Sequence, residues 1–243
     1  MARINKKNII SGRIANLVFR NVEGRQIVQS RPEDMKQTKA TKLSSTEFSQ
    51  CSRWAKSLRL SLISFLVGLT DTYMYKRLTG KLYAVLQTNT SMPKGQRTPC
   101  NADMSELAGF EFNTHSPFAQ YFLPPIIVTM DVQRQVTVKI PELEPKSEIV
   151  FAEKTAQAEL LLYVLATSFD QSKPVVEAHF ILPIDRSTPL QAETIWTSPV
   201  LPAEYFVLVT AKLMYFTTNK FTVKNYINSK ELSPACVIFA AGS

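Results

Sequence analysis

Two stretches decide the fold class of this chain: AELLLYVLATSF at residues 158–169 and YFVLVTAKLMYF at residues 205–216. Both are rich in leucine, valine and aromatic side chains, and turn residues flank them, which is typical of strands. Further runs of this kind lie in the same half of the chain, at 126–132, 135–140, 175–183 and 235–240, with weaker candidates at 148–151 and 193–196. Six to eight strands in about 120 residues predict an immunoglobulin-like antiparallel β-sandwich over residues 126–243.

The stretch before these strands has a different composition. Residues 88–125 are rich in Asn, Thr, Ser and Pro, with at most one short helix at 103–108. This composition predicts a loop, so residues 89–125 are interpreted as a linker between two domains. Residues 1–88 then form a separate amino-terminal domain.

Two helices are predicted between residues 44 and 88. Ser44 and Glu47 have the spacing of a capping box, which places the start of the first helix near Ser45. Spacings of three and four define its apolar stripe of Phe48, Cys51, Ala55, Leu58, Leu62, Phe65 and Leu69. The helix also has a second apolar side, which consists of Trp54, Leu60, Ile63 and Val67. This second side predicts that the carboxy-terminal half of the helix is covered on both faces.

A second helix follows the break at Gly68. Thr70 and Asp71 supply an amino cap, and the helical spacing continues through Met74, Leu78, Leu82 and Val85. Two antiparallel helices are the expected result. A β-hairpin turning at residues 78–81 is the competing interpretation.

The amino terminus predicts a β-hairpin. Strands are expected near Ile14–Arg20 and Arg25–Ser30, with a turn that ends at Gly24, and Pro32 stops the second strand. Residues 33–42 are polar and aperiodic, so they predict a connection without regular structure. The fold class is therefore α+β: a basic hairpin and two helices over residues 1–88, followed by the sandwich.

Positive charge is concentrated in this amino-terminal domain. Residues 1–80 hold fifteen Lys and Arg against five Asp and Glu, whereas residues 81–243 hold thirteen against fifteen. Such asymmetry predicts an anionic or acidic partner. The candidate anion- or partner-binding residues are Lys6, Lys7, Arg13, Arg20, Arg25, Arg31, Lys36, Lys39, Lys42 and Arg53.

The hairpin itself predicts assembly. A two-stranded hairpin is marginally stable in water, and this one has too little accompanying chain to bury both faces. A partner strand, a neighbouring copy or the sandwich should complete it. The side chains available for that contact are Ile14, Leu17, Val18, Phe19, Ile27 and Val28.

No catalytic motif is present in the sequence. It contains no glycine-rich phosphate loop, no Gly-x-Ser-x-Gly and no His-Glu-x-x-His. His115 and His179 are isolated, and Glu142 and Glu144 lie in a proline-flanked loop, where paired carboxylates are usually solvated. We therefore expect no catalytic residue, no cofactor and no metal.

Cysteine usage and hydropathy bear on the compartment. The three cysteines are too far apart in sequence for a disulfide framework or a zinc motif, which favours a reducing compartment. The most apolar early stretch, residues 58–69, is shorter than the roughly 20 residues that span a bilayer. No secretory signal is recognisable. The expected location is the cytoplasm or a particle assembled inside the cell.

The amino-terminal residues resemble those of a known bacterial family. GRIANLVF at 12–19 and GRQIVQSRP at 24–32 are similar to the signature of an uncharacterised family, a domain of unknown function with a Gly-x-Val-Gly-Asn-type hairpin and a long helix. In this chain Ala15 replaces the usual Gly, and residues 39–42 replace a Pro-Arg-Thr-like run. The resemblance implies the same domain plan, with a strand-rich carboxy-terminal half, and the family has no established activity to transfer to this chain.

Together these features predict a non-enzymatic structural or adaptor subunit. It would dock onto a larger assembly through its basic amino-terminal domain, with a protein partner or further copies of itself. The alternative is a nucleic-acid-binding protein that uses the same basic residues, and a third class is an enzyme with its site in the linker. Steep salt dependence would indicate phosphate contacts, whereas apolar strand addition is less sensitive to salt.

Overall fold

The chain divides into two compact units. The computed structural model describes residues 2–5, 8–22, 24–31, 37–168, 173–218 and 224–242. The units are Met1–Lys42 and Leu43–Ser243, so the division falls after Lys42 and differs from the sequence-based boundaries near 88 and 125. Residues 1–42 hold ten Lys and Arg against three Asp and Glu, so this small unit has seven of the eight net positive charges.

The first unit is a four-stranded antiparallel sheet with strands in sequence order. Its strands are β1 (Arg3–Ile4), β2 (Ile10–Ile14), β3 (Leu17–Val22) and β4 (Arg25–Ser30). The predicted strand β4 is confirmed. The predicted strand Ile14–Arg20 is wrong at its start, because Ile14 pairs with Leu17 across a two-residue turn. Ala15 in that turn has a φ of 47°, a conformation that glycine adopts more readily.

The first helix of the chain begins earlier than the sequence predicted. The helices between residues 39 and 88 are α1 (Lys39–Ser61), α2 (Ile63–Leu66) and α3 (Met74–Thr88). The predicted capping box is wrong, because the Thr38 hydroxyl accepts the backbone N–H of Thr41 at 3.2 Å and caps α1 six residues upstream of Ser44. Among the residues that the structure describes, no helix is long and apolar enough to cross a membrane.

The apolar stripe of α1 and α2 is largely confirmed. Its five central members are buried: Cys51, Ala55, Leu58, Leu62 and Phe65. The terminal members differ, since Phe48 is exposed and Leu69 is half-buried. The predicted second covered side is wrong at Ile63 and Val67, which are exposed, whereas Trp54 and Leu60 are half-buried and Trp54 packs against the core.

The second predicted helix is also confirmed. Its stripe of Met74, Leu78, Leu82 and Val85 is buried, and α3 runs continuously through residues 78–81, so the competing hairpin is wrong. The predicted amino cap at Thr70 and Asp71 is wrong, because the N-cap residue of α3 is Tyr73 and no side chain caps this helix. The Asp71 carboxylate instead accepts the Tyr73 N–H at 2.8 Å, before the helix begins.

Residues 89–125 are packed into the second unit. They contain two 3-10 helices, Pro99–Asn101 and Met104–Leu107, and the short helix α4 (Phe118–Tyr121). Met104, Leu107, Phe110 and Phe112 are buried in the same core as the helices. This segment therefore contributes core residues, which its polar composition concealed.

The predicted strands of the carboxy-terminal half are present, with small changes in their bounds. They are β5 (Ile127–Met130), β6 (Gln135–Ile140), β7 (Gln157–Thr167), β8 (Val176–Asp185), β9 (Thr194–Val200), β10 (Phe206–Thr217), β11 (Asn225–Tyr226) and β12 (Ala235–Ala241). The weak candidate at 148–151 is wrong, because α5 (Pro145–Glu148) occupies its start. One antiparallel sheet has the order β11-β10-β7-β8, with β12 also paired to β10, and a second has the order β5-β6-β9.

Strands β7 and β10 of the larger sheet are buried on both faces. On one face Leu165 and Leu208 pack in a core with Leu58 of α1. On the other face Leu162 and Val209 pack in a core with Val138 of the three-stranded sheet. Burial on both faces accounts for the nearly continuous apolar runs in β7 and β10, which lack the alternation of a half-exposed strand.

Candidate functional site

The first unit presents an arginine face. Residues paired directly across antiparallel strands point to the same side of a sheet, and successive residues alternate. Arg13 pairs with Val18, Arg20 with Ile27, and Val22 with Arg25. The side chains of Arg13, Arg20 and Arg25 therefore share one side of the sheet, which we term the arginine face.

The opposite side is apolar. Ile14 pairs with Leu17, and Phe19 pairs with Val28. These four residues form what we term the apolar face. Ile14, Leu17 and Val28 are 44–52% exposed, and Phe19 is half-buried. An apolar face this accessible would be more stable against another apolar surface than against water.

The six residues predicted for assembly are thus divided between the two faces. Val18 and Ile27, predicted with the same set, lie on the arginine face beside Val22. Sequence patterns did not distinguish the two sides, because the assignment depends on strand register. A slip of one residue between two paired strands would move every side chain of the slipped strand to the other side of the sheet.

The first unit contains no buried side chain among its described residues. All six residues of β4 are exposed, and β4 is an edge strand of the sheet. An edge strand has unpaired backbone donors and acceptors that can pair with another chain. The unit therefore offers both an apolar surface and an open strand edge.

The predicted cations do not all lie together. Lys6, Lys7 and Lys36 are outside the described residues, whereas Lys39 and Lys42 lie in the first turn of α1 and are exposed. The backbone N–H of Arg31 donates to the Asn16 carbonyl at 2.6 Å beside the Ala15 turn, and Arg53 is an exposed residue of α1 in the second unit. Of these predicted cations, the sheet register places only Arg13, Arg20 and Arg25 on one side of the sheet.

The arginine face is available for anion binding. Arg13 donates from Nε to the carbonyl of Ala15 at 3.1 Å, a contact that leaves its charge unneutralised. In the part of the chain that the structure describes, no carboxylate lies within ion-pair distance of Arg13, Arg20 or Arg25. Their charges can therefore act on a partner.

The residues considered for catalysis are dispersed over the second unit. His115 and His179 are exposed, and His179 lies opposite Tyr163 on the edge strand β8. Glu142 and Glu144 are exposed as well. Across the described ranges, no three His, Cys, Asp or Glu side chains gather as a metal site would require.

One lysine of the second unit is buried, which its position within an apolar run did not indicate. Lys212 of β10 donates from Nζ to the Phe65 carbonyl at 3.0 Å, and the Leu66 carbonyl lies at 3.5 Å. These carbonyls end α2, where a cation is favourable. Burial nevertheless lowers the pKa of Lys212 to about 8.

Substitution of Lys212 by methionine should change how stability depends on pH. The unfolded chain keeps this proton up to pH 10.5 and the folded chain releases it near pH 8, so stability rises with pH between these values. From pH 7 to pH 9.5 the wild type should gain about 2 kcal/mol relative to Lys212→Met. Urea unfolding of both proteins at each pH measures the difference, and parallel curves would contradict it.

No family model, curated protein or solved structure matches this chain. The functional argument therefore proceeds from the two faces of the first unit.

Proposed function

We propose that this protein is a non-enzymatic structural or adaptor subunit that docks through the sheet of residues 1–42. The observation that supports this proposal is the exposure of the apolar face in a unit that has no buried described residue. A small sheet gains stability when a second layer covers such a face. Docking would supply that layer.

A second copy of the chain is the simplest partner. The apolar face extends to the paired residues Asn21 and Gln26, so no described side chain on this side of strands β2 to β4 is charged. Two copies can therefore pack face to face in a symmetric pair while their arginine faces point outward into water. Contact through the uncharged side avoids close approach of like charges.

The second unit would then be the body that the sheet attaches to the assembly. An immunoglobulin-like arrangement of its two sheets stays a prediction. It is supported by the antiparallel pairing in both sheets and by the shared core, which includes Val138, Leu162 and Val209. The helical layer over the other face of the larger sheet is an addition to that arrangement.

The particle mass at micromolar concentration tests the docking proposal. We expect nuclease-treated full-length protein to form an assembly larger than the 27.4 kDa monomer. Leu17→Gln combined with Val28→Gln should shift the mass to that of the monomer, because both changes make the apolar face polar. Light scattering coupled to size-exclusion chromatography measures the mass directly.

Val22→Gln combined with Ile27→Gln is the matched control. It removes two exposed apolar side chains from the same two strands, on the arginine face instead of the apolar face. The control variant should remain assembled. A wild-type protein that is monomeric throughout, or equal dissociation of both double variants, would contradict docking of two copies through the apolar face.

Nucleic-acid binding is the second candidate function, and the grouping of Arg13, Arg20 and Arg25 on one face favours it. Replacement of all three by Gln should weaken binding to a DNA or RNA oligonucleotide and reduce the salt slope by about two to three. Assembly should persist in this variant. Tight nucleic-acid binding that the triple variant abolishes, together with a mass unaffected by Leu17→Gln and Val28→Gln, would reverse our ranking.

A further inference from the structure

The second unit contains a surface cavity that the docking proposal does not use. Its volume is about 400 Å³, which falls within the range of small-molecule sites. It lies between α1, the loop after α2 and the start of α3. The lining residues are Lys56, Arg59, Thr70, Asp71, Thr72, Met74 and Tyr75.

The one carboxylate in the cavity is already neutralised. Asp71 forms an ion pair with Arg77 and also accepts the backbone N–H of Thr114 at 3.1 Å. Burial alone would raise its pKa, but the hydrogen bonds from Thr114, Arg77 and Tyr73 hold the pKa of Asp71 below its usual range. The carboxylate is therefore charged and engaged with its own partners.

The two cations of the cavity have no such partner. Over the described residues, no carboxylate lies within ion-pair distance of Lys56 or Arg59. They are separated by three positions on α1, which places them on the same side of the helix. With Asp71 matched by Arg77, the cavity has an excess of two positive charges.

Arg59 is also held in place by an aromatic ring. Its guanidinium carbon lies 5.9 Å from the centre of the Tyr75 ring, and the Tyr75 hydroxyl donates to the Ser52 carbonyl at 2.8 Å. A cation–π contact of this kind leaves guanidinium N–H groups free to donate hydrogen bonds. Thr70 and Thr72 add hydroxyl groups to the lining.

We propose that this cavity binds the phosphate group of a small phosphomonoester. A phosphate dianion matches the two uncompensated cations, and its oxygens can accept hydrogen bonds from the guanidinium, the ammonium and the threonine hydroxyls. The volume exceeds that of phosphate alone, so the organic part of the ligand can lie against Met74 and Tyr75. The proposal concerns residues of the second unit and does not depend on docking by the first.

Residue-resolved NMR titration of the full-length protein tests this site. The probes are inorganic phosphate, adenosine monophosphate and unphosphorylated adenosine. Both phosphate compounds should shift the backbone amide signals of Thr70 and Thr72 in a saturable manner, whereas adenosine should not. Lys56→Gln combined with Arg59→Gln should weaken the affinity at least about tenfold, because charge-assisted hydrogen bonds are lost.

Lys94→Gln combined with Lys146→Gln is the control, since it removes two exposed charges of the same unit from outside the cavity. This control should bind phosphate as the wild type does. Equal affinity of the two double variants would overturn the proposal, as would shifts confined to residues 1–42. Equal binding of adenosine and its monophosphate would show that phosphate is not the recognised group.

Discussion

Replacement of Leu58 or Leu62 by alanine should lower the free energy of unfolding by about 2–5 kcal/mol. Leu58 is 2% exposed and Leu62 is fully buried. Both belong to the core that joins the helices to the larger sheet, where they share contacts with the cluster around Leu165 and Leu208. Alanine would leave a cavity between two layers that cannot both collapse into it. Urea unfolding followed by circular dichroism measures the loss.

Ile63→Ala is the matched control for this prediction. Ile63 follows Leu62 directly but is 58% exposed, so its substitution should change stability by less than about 0.5 kcal/mol. Losses this small in Leu58→Ala and Leu62→Ala would contradict the helix-on-sheet core. A loss at Ile63 that occurs only in an assembled form would instead show that a partner covers the second apolar side of the helix.

Periodicity in the sequence predicted the elements of this core because it records which side of an element is covered. The three-and-four spacing identified the buried side of α1 and α3. In β6 the buried residues Val136, Val138 and Ile140 alternate in sequence with Thr137 and Lys139, a pattern typical of a strand with one covered face. The sequence did not show which elements cover one another. The continuous apolar run of β7 is consistent with two covering layers but does not state that one of them is helical.

The candidate docking surface was predicted as a set of residues and not as two faces. Ala15 concealed the turn between β2 and β3, because alanine is uncommon at a φ of 47° and gives no turn signal. Without that turn, the sequence did not show which residues of β2 share a side of the sheet with Arg20. The proposed phosphate cavity was harder still to predict from the sequence, because Thr70 and Lys56 come close to each other only after α1 and α3 have packed.

Glu47 shows how a local pattern can mislead. The sequence placed it at the start of a helix, whereas it is fully buried in the third turn of α1. Its carboxylate accepts the backbone N–H of Gly95 at 2.6 Å and the side-chain amide of Gln87 at 3.0 Å. Gly95 has a φ of +93°, a conformation that favours glycine, and a Cβ there would also lie 2.8 Å from the Cδ2 methyl of Leu43.

The Glu47 network continues beyond these contacts. Gln87 accepts from Arg97 at 2.9 Å, and Arg97 donates to the Met92 carbonyl at 3.2 Å. The buried Glu47 carboxylate therefore links the loop after α3 to α1 through hydrogen bonds. Loss of the carboxylate would leave the Gly95 N–H and the Gln87 amide without their acceptor in a buried site.

Glu47→Ala should accordingly lower the free energy of unfolding by about 3–5 kcal/mol, since it combines unpaired buried donors with a cavity. Ser44→Ala is the matched control and should be close to neutral. A capping box would instead give similar losses of about 1 kcal/mol for both substitutions. Chemical denaturation of the two variants distinguishes these cases. Because the network holds residues 92–97 against α1, Glu47→Ala should also accelerate amide hydrogen exchange at Gly95, and an unchanged rate there would contradict the role of Glu47 as its acceptor.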